Sequence, residues 1–591
     1  MKDFFKMMLA SALGFIVASF LFSLILMITL FGLLGSLSDS IANQSAFSLQ
    51  NNSILHLRLD GVVQERVPDN DPFTELIGGP ATIVGLNDIV GAIRKAKNND
   101  KIKGVYIDSR MMSASNATLA EIRNELISFK ESGKFIVAYA DNYLQSAYYI
   151  SSVADKVAIN PQGALDLHGL SSTPLFYKDA LDKLGVKMEL FKVGTYKSYA
   201  EQYTQREMSE ANKEQVSSFL FDIWGEMKDD IAHSRGLTCE DIDGIADDFP
   251  MFKNVDYLIS NNLVDTVLYE SEMKNYLRDL VGVPKDAKIP TATIADMKTI
   301  NTKNIKKSSN TIALLYAVGG ISSGSGANGI QDKYLINQIE KLQKDKDVKA
   351  VVLRVNSGGG SAYASEQIWK AMEDLKKEKP VVVSMGDMAA SGGYYISCNA
   401  DRIVASPTTI TGSIGIFGLF PNVSKTLSKL GISSDVVKTN ELSDFGNISR
   451  GFNDKESELL QSYIDKGYDL FLTRCADGRG MQKDSLAKYA EGRVWTGKQA
   501  KEIGLVDELG GVEDAIRIAA DLANLGKSYA VYEYPKMKNK FEELLNKNKE
   551  ELVTKAAKEW LGDNVDLFLM LKNQNEQEFI QARIPYELNI K

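Results

Sequence analysis

Apolar residues fall into a rhythm that the chain runs through twice. Each pass opens on an apolar run, ILHLRLDGVV from Ile54 and IALLYAVGGI from Ile312, and continues with an amphipathic helical stretch. A β-branched strand pattern follows, GVYID in one pass and AVVLRV in the other, then a second helix and a further strand, FIVAYA and VVVSM. Strands alternating with helices of about 10–15 residues predict βαβ units on a mostly parallel sheet. One offset relates the passes: residues 139–161 (YADNYLQSAYYISSVADKVAINP) align without a gap with 385–407 (MGDMAASGGYYISCNADRIVASP), 246 positions on, and 93–107 align with 339–353 at the same spacing. NNLVD at 261–265 and IGLVDELGG at 503–511 close the two units. A duplication of this kind means one fold used twice. Residues 283–310, polar, lysine-rich and poor in periodicity, read as a linker. The expected organisation is 1–45 as cytoplasmic stub and membrane anchor, 46–282 as first repeat, 283–310 as linker, 311–535 as second repeat and 536–591 as a C-terminal helical extension and tail. The closing stretch NEQEFIQARIPYELNIK carries no readable pattern.

Ahead of the first repeat, residues 7–35 (MMLASALGFIVASFLFSLILMITLFGLLG) contain no charge and follow Lys2 and Lys6. The run exceeds the ~20 residues that span a bilayer and is longer than a cleaved signal core. It predicts an uncleaved signal anchor lying in the lipid bilayer. The two lysines before it, with little positive charge just after, place the N-terminus in the cytoplasm and the rest of the chain outside it. At 591 residues the chain is too long for one hydrophobic core. With 68 basic against 77 acidic residues and the lysines scattered among acids, no nucleic-acid partner is indicated. Cys239, Cys398 and Cys475 are widely spaced, which suggests neither a disulfide framework nor a cysteine-built zinc site.

Candidate chemistry centres on GDMAASGGYYIS at 386–397, where Ser391 sits among alanines and glycines that would let a substrate backbone approach; the plainer reading is a tight turn. NSGGGSA at 356–362 follows a buried strand. Its glycines leave amides uncovered, so Gly358, Gly359 and Gly360, with Gly392, become oxyanion-hole candidates once paired with a nucleophilic serine. GSGANG at 324–329 fits a dinucleotide fingerprint, but no acidic residue ends the next strand and the first repeat has no counterpart, so a flexible turn is the better reading. A serine needs a base. The three histidines, His56, His168 and His233, all lie in the first repeat, and Ser391 is not in a GxSxG elbow, which argues against a Ser-His-Asp site. A lysine remains, provided burial lowers its pKa. Lys197, in FKVGTYKSYAEQYT, sits among tyrosines and small residues, although a lone lysine is most often a surface residue. At the 246 offset Ser391 faces Gln145 and Lys197 faces Ser443, so each repeat keeps one member of a possible Ser/Lys pair.

With these motifs in order, from the anchor to GRVWTGKQAKEIGLVDELGG at 492–511, the sequence resembles the long form of the signal peptide peptidase A (protease IV) family, of the Clp protease/crotonase superfamily. The resemblance implies an α/β fold of tandem Clp-protease-like domains after one transmembrane helix. It also implies a Ser/Lys dyad of Ser391 as nucleophile and Lys197 as general base. The GSIG motif (Gly412, Ser413, Ile414, Gly415) supplies a serine, Ser413, that orients the lysine. Further implications are no metal or cofactor, a homotetramer at the outer face of the bacterial inner membrane, and signal-peptide remnants as substrates. One departure is KSYAEQ in place of KSAxEP, with Gln202 for proline, expected to alter the local turn and not the chemistry. Rival readings are a crotonase-like acyl-CoA enzyme, which the anchor disfavours, and a catalytically silent membrane scaffold.

Overall fold

The structure, a computed structural model, describes residues 47–67, 83–300, 310–326, 329–537 and 580–583, with Gly14, Ser19, Phe22 and Ile25 before them. Among the described residues no helix is long and apolar enough to cross a membrane; apart from those four positions, the predicted anchor at 7–35 lies outside them.

The first repeat forms a parallel sheet in the order Ile83–Gly85, Ser53–Gln64, Ile102–Ser113, Phe135–Ala140, Lys156–Ile159, Thr266–Val267. The second repeat builds its sheet on Ala530–Tyr534, Thr311–Val318, Val348–Ser357, Val381–Ala390 and Arg402–Ala405, again parallel. Its central strands are continuous apolar runs because helices cover both faces: Val351, Val352 and Leu353 are wholly buried. Equivalent strands begin at Ile102 and Val348, at Phe135 and Val381, and at Lys156 and Arg402, all 246 apart. The ladders add one correction. Val137 pairs with Lys156, whereas Val382 pairs with Arg402, so the strand Val381–Ala390 holds one more residue before its helix than the gapless alignment implied.

A buried polar network joins the repeats. Arg354 donates to Glu65 (3.0 Å) and Glu121 (2.8 Å) of the first repeat and to Ser384 (2.9 Å) of its own. Asn356 donates to both Glu65 and Asp387, and Asp387 accepts from the Thr118 amide and hydroxyl. Burial pushes the Glu65 carboxyl up, against the opposing pull of Arg354.

A third sheet, of six strands, stitches distant segments together. Lys187–Lys192 of the first repeat pairs antiparallel with Phe417–Asn422 of the second. Phe417–Asn422 also pairs with Ile580–Arg583 from the C-terminal tail, which pairs on its other edge with Gly359–Ser361.

Two expected regions differ. Part of the linker is folded: Thr291–Ala292 joins the first sheet beside Ser53–Gln64, and Ile294–Thr299 packs its buried Met297 on the first core behind a Thr293–Asp296 capping box. A few apolar residues among lysines carried that packing, too few to show as periodicity. The C-terminal region, expected as helical extension and tail, contributes the strand Ile580–Arg583; residues 538–579 and 584–591 lie outside the described residues.

Candidate active site

Val381–Ala390 ends where the helix Gly392–Tyr395 begins, and Ser391 is the turn between them, at φ 56° and ψ −114°. A side chain in this left-handed region costs on the order of 1–3 kcal/mol and persists only where the surroundings enforce it. Here the Ser391 amide donates to Gly412 O (2.8 Å) and its carbonyl accepts from the Tyr395 amide (2.8 Å). The result is a strand-turn-helix elbow without the GxSxG sequence.

Lys197 Nζ lies 2.7 Å from Ser391 Oγ and 3.1 Å from both the carbonyl oxygen and the hydroxyl of Ser413. Lys197, Ser391 and Ser413 are all buried, and none of these lysine partners is a carboxylate. Burial therefore acts without an opposing charge and holds the Lys197 amine well below the usual lysine range. Ser413 is fixed in turn, its amide donating to Arg493 O (2.7 Å) and its hydroxyl to Gly492 O (3.2 Å).

The pair meets because Lys197 follows the strand Lys187–Lys192, which the second repeat holds through Phe417–Asn422. Several supports of the lysine loop were invisible in the sequence. Gln215, on the long helix Glu210–Arg235, donates to Tyr196 O (3.0 Å) and Ser198 Oγ (2.8 Å), and Asn212 beside it donates to Glu201 (2.9 Å). From the second repeat, Glu491 O accepts from the Tyr196 amide (3.0 Å), and Gly492, at φ +79°, lies so close that a Cβ there would stand 2.7 Å from the Lys197 backbone nitrogen. Glu201, in the quoted KSYAEQ, and Gly492, opening GRVWTG, were the available signals. Gln202 stands in the short helix Glu201–Thr204, and its carbonyl accepts from the Tyr177 amide.

The candidate oxyanion glycines separate. Gly359, at φ +94°, packs against Gly392: a Cβ on it would lie 2.6 Å from the Gly392 nitrogen, while its own amide donates to Ser357 Oγ (3.1 Å). Gly360 is committed elsewhere, since a Cβ there would meet Ile321 O at 2.0 Å. A cleft of about 1300 Å³ runs past Gly358 and Gly359, lined from the first repeat by residues such as Glu65 and Tyr203 and from the second by Tyr316 and Met388.

The other sequence candidates lie apart from this chemistry. Gln145 occupies the position of Ser391 in the first repeat, where its Oε1 accepts from the His168 and Gly169 amides (2.9 and 3.0 Å) and its Nε2 donates to Gly169 O (3.0 Å). Gly169 corresponds to Gly415, where a Cβ would lie 3.3 Å from Lys197 Cδ. Ser443 lies in an exposed turn. His56 bonds Asp108 (3.2 Å) and His168 bonds Asp166 (2.6 Å). In the glycine fingerprint, the Gly324 amide is taken by Asp332 (2.8 Å) and the Gly326 amide by Gln331, which fits the turn reading.

A buried amine 2.7 Å from a buried serine hydroxyl, brought together by two α/β repeats, is an arrangement suited to a serine peptidase. The sequence profile of Peptidase family S49 matches residues 128–284 and 373–526, and that of Clp protease matches 303–409. The chain is 35% identical to Protease 4 of Salmonella typhi over 508 residues, covering 83% of this chain and 82% of that one. It is 34% identical to Protease 4 of Haemophilus influenzae over 521 residues (85% and 84%), and 31% identical to the chloroplastic serine protease SPPA of Arabidopsis thaliana over 439 residues (73% and 64%). The chain belongs to peptidase family S49.

Proposed function

We propose that this chain is a membrane-anchored endopeptidase that uses Ser391 and Lys197 to hydrolyse signal-peptide remnants and similar apolar peptides on the extracytoplasmic side of a bacterial inner membrane. The observation that carries the dyad is the 2.7 Å approach of a buried amine, which burial holds well below the usual lysine range, to a serine at positive φ. Lys197 takes the proton of Ser391 as Oγ attacks the scissile carbonyl, and Ser413 keeps the amine aimed. The Gly392 amide, with Gly359 beside it, faces the developing oxyanion; one such donor is worth about 2.7–4 kcal/mol in the transition state. The apolar run at 7–35 supports the anchor. A fluorophosphonate probe tests the site: labelling of Ser391 in the wild type and its loss in Lys197→Arg are expected, because arginine cannot give up its proton. Labelling that survives Lys197→Arg would remove the lysine from the mechanism.

The repeat also supports a homotetramer. Lys187–Lys192 pairs with Phe417–Asn422 inside one chain. Shifted by 246, the same partners are residues 433–438 and 171–176, both outside every described strand. The segment 433–438 leaves Val436 and Val437 49% and 98% exposed, apolar surface that a partner strand would cover. Segment 433–438 of one copy therefore pairs with 171–176 of the next, a head-to-tail contact that closes into a ring. The intrachain register Leu419↔Leu190 becomes Thr173 against Val436. A Thr173→Cys, Val436→Cys double variant should form disulfide-linked oligomers; a monomer at micromolar concentration would reject the ring.

A further inference from the structure

Cys398 and Cys475, far apart in the sequence, meet behind the nucleophile. Tyr395, whose amide bonds Ser391 O, accepts at its own carbonyl from Cys398 Sγ (3.2 Å). Across from this turn runs the helix Asp454–Arg479. The Tyr395 ring stacks on Phe471 at 4.3 Å, and Cys398 Sγ lies 3.7 Å from Arg474 O. A Cβ on Gly478 would stand 2.5 Å from Cys398 O, so the missing side chain lets the helix come down onto Cys398. Cys475 and Gly478 are one helical turn apart and share a face. Both thiols are free and wholly buried. Burial, with the Cys398 thiol beside it, pushes the Cys475 thiol well up. Two sulfurs alone do not make a zinc site, and among the described residues no cluster of three or more His, Cys, Asp or Glu could hold a metal ion.

We infer that Cys398 and Cys475 are oxidised to a disulfide that pins the turn of the nucleophile to the helix Asp454–Arg479. The oxidant is a disulfide, carried by an extracytoplasmic thiol oxidase or by glutathione. One cysteine gives up its proton and attacks the S–S bond of the donor, which releases one thiol; the second cysteine attacks the mixed disulfide and releases the other. The chain loses two protons and two electrons, and the donor gains them as two thiols. Only a thiolate attacks, and both sulfurs are enclosed once folding is complete. The bond therefore forms while the helix docks and lies beyond the reach of a reductant afterwards. It ties the chain just past Ser391 to a fixed element, which helps to hold that residue at its positive φ.

An oxidising compartment for this bond rests on the extracytoplasmic placement proposed above, and cell-free synthesis of the full chain into detergent micelles tests the thiol pair apart from it. Synthesis runs once with glutathione and its disulfide and once with dithiothreitol. The folded fraction is isolated by size exclusion, denatured, treated with N-ethylmaleimide and weighed by intact mass. The glutathione product should be two hydrogens lighter before labelling and take one label, on Cys239, whereas the dithiothreitol product takes one on each of its three cysteines. The bridged chain should melt at least about 5 °C higher. Cys398→Ala, Cys475→Ala should melt alike in both media, and glutathione disulfide added to the folded dithiothreitol product should leave all three cysteines open to label after denaturation. A folded glutathione product that takes three labels, or is bridged through Cys239 instead, overturns the inference and leaves the placement standing. Cells making the full chain, quenched with N-ethylmaleimide before lysis, should yield one label; three labels there, after bridging in micelles, remove the placement and the native bond together.

Discussion

Gly492→Ala should disable the enzyme without replacing either member of the proposed dyad. A Cβ at Gly492 would stand 2.7 Å from both the backbone nitrogen and the Cβ of Lys197, where ordinary contact begins at 3.4 Å. The obstacle is main chain, so one of the two segments must yield by about 0.7 Å. Lys197 Nζ has two contacts at 3.1 Å to Ser413 and one at 2.7 Å to Ser391. A shift of that size takes the longer pair beyond hydrogen-bond range. A misplacement of about 1 Å typically costs on the order of 100-fold, so kcat should fall between about 10- and 100-fold. The left-handed backbone at φ +79° adds about 1–2 kcal/mol of strain. Gly480→Ala separates the two effects: its φ is +62°, yet a Cβ there meets nothing within 4 Å. It should lose comparable stability and keep its activity. Steady-state hydrolysis of a fluorogenic peptide, read beside the thermal midpoint of each variant, decides the matter. Gly492→Ala within threefold of wild type, or an equal loss in Gly480→Ala, would refute the idea that this glycine positions the base.

Three other outcomes follow from the same geometry. Because burial holds the Lys197 amine below its unfolded value near 10.4, kcat/KM should climb with pH and level off below the usual lysine range. In the window between the two values the unfolded chain binds a proton that the folded chain does not, so stability rises with pH there; Lys197→Met should flatten that rise and melt higher at neutral pH. Gln145→Ala strands the buried Gly169 amide and should lower stability by roughly 1–3 kcal/mol while leaving peptidase activity within twofold, as calorimetry and the peptide assay can check. Arg354→Leu leaves Glu65 and Glu121 without their shared cation across the two repeats; denaturant unfolding should show a loss of about 3–5 kcal/mol, smaller at low pH where Glu65 takes up a proton.

The duplication, the parallel α/β units and the two candidate residues were legible in the amino-acid pattern. Strand and helix periods record which side of an element is buried, and a constant offset of 246 survives in them whatever the packing. Ser391 and Lys197 could be paired because each repeat lacks the other's residue, with Gln145 and Ser443 in the vacant places. Tertiary structure alone decided which glycine stands by Gly392, since Gly359 and Gly360 are alike in sequence and differ only in whether Gly392 or Ile321 approaches them. It also decided that Gln215 and Gly492 hold the lysine, through contacts between segments far apart in the chain that no local period records. Residues 580–583 show this most plainly: four residues are too few to carry a hydrophobic rhythm, and their strand exists because two edges from distant parts of the second repeat leave a slot for it.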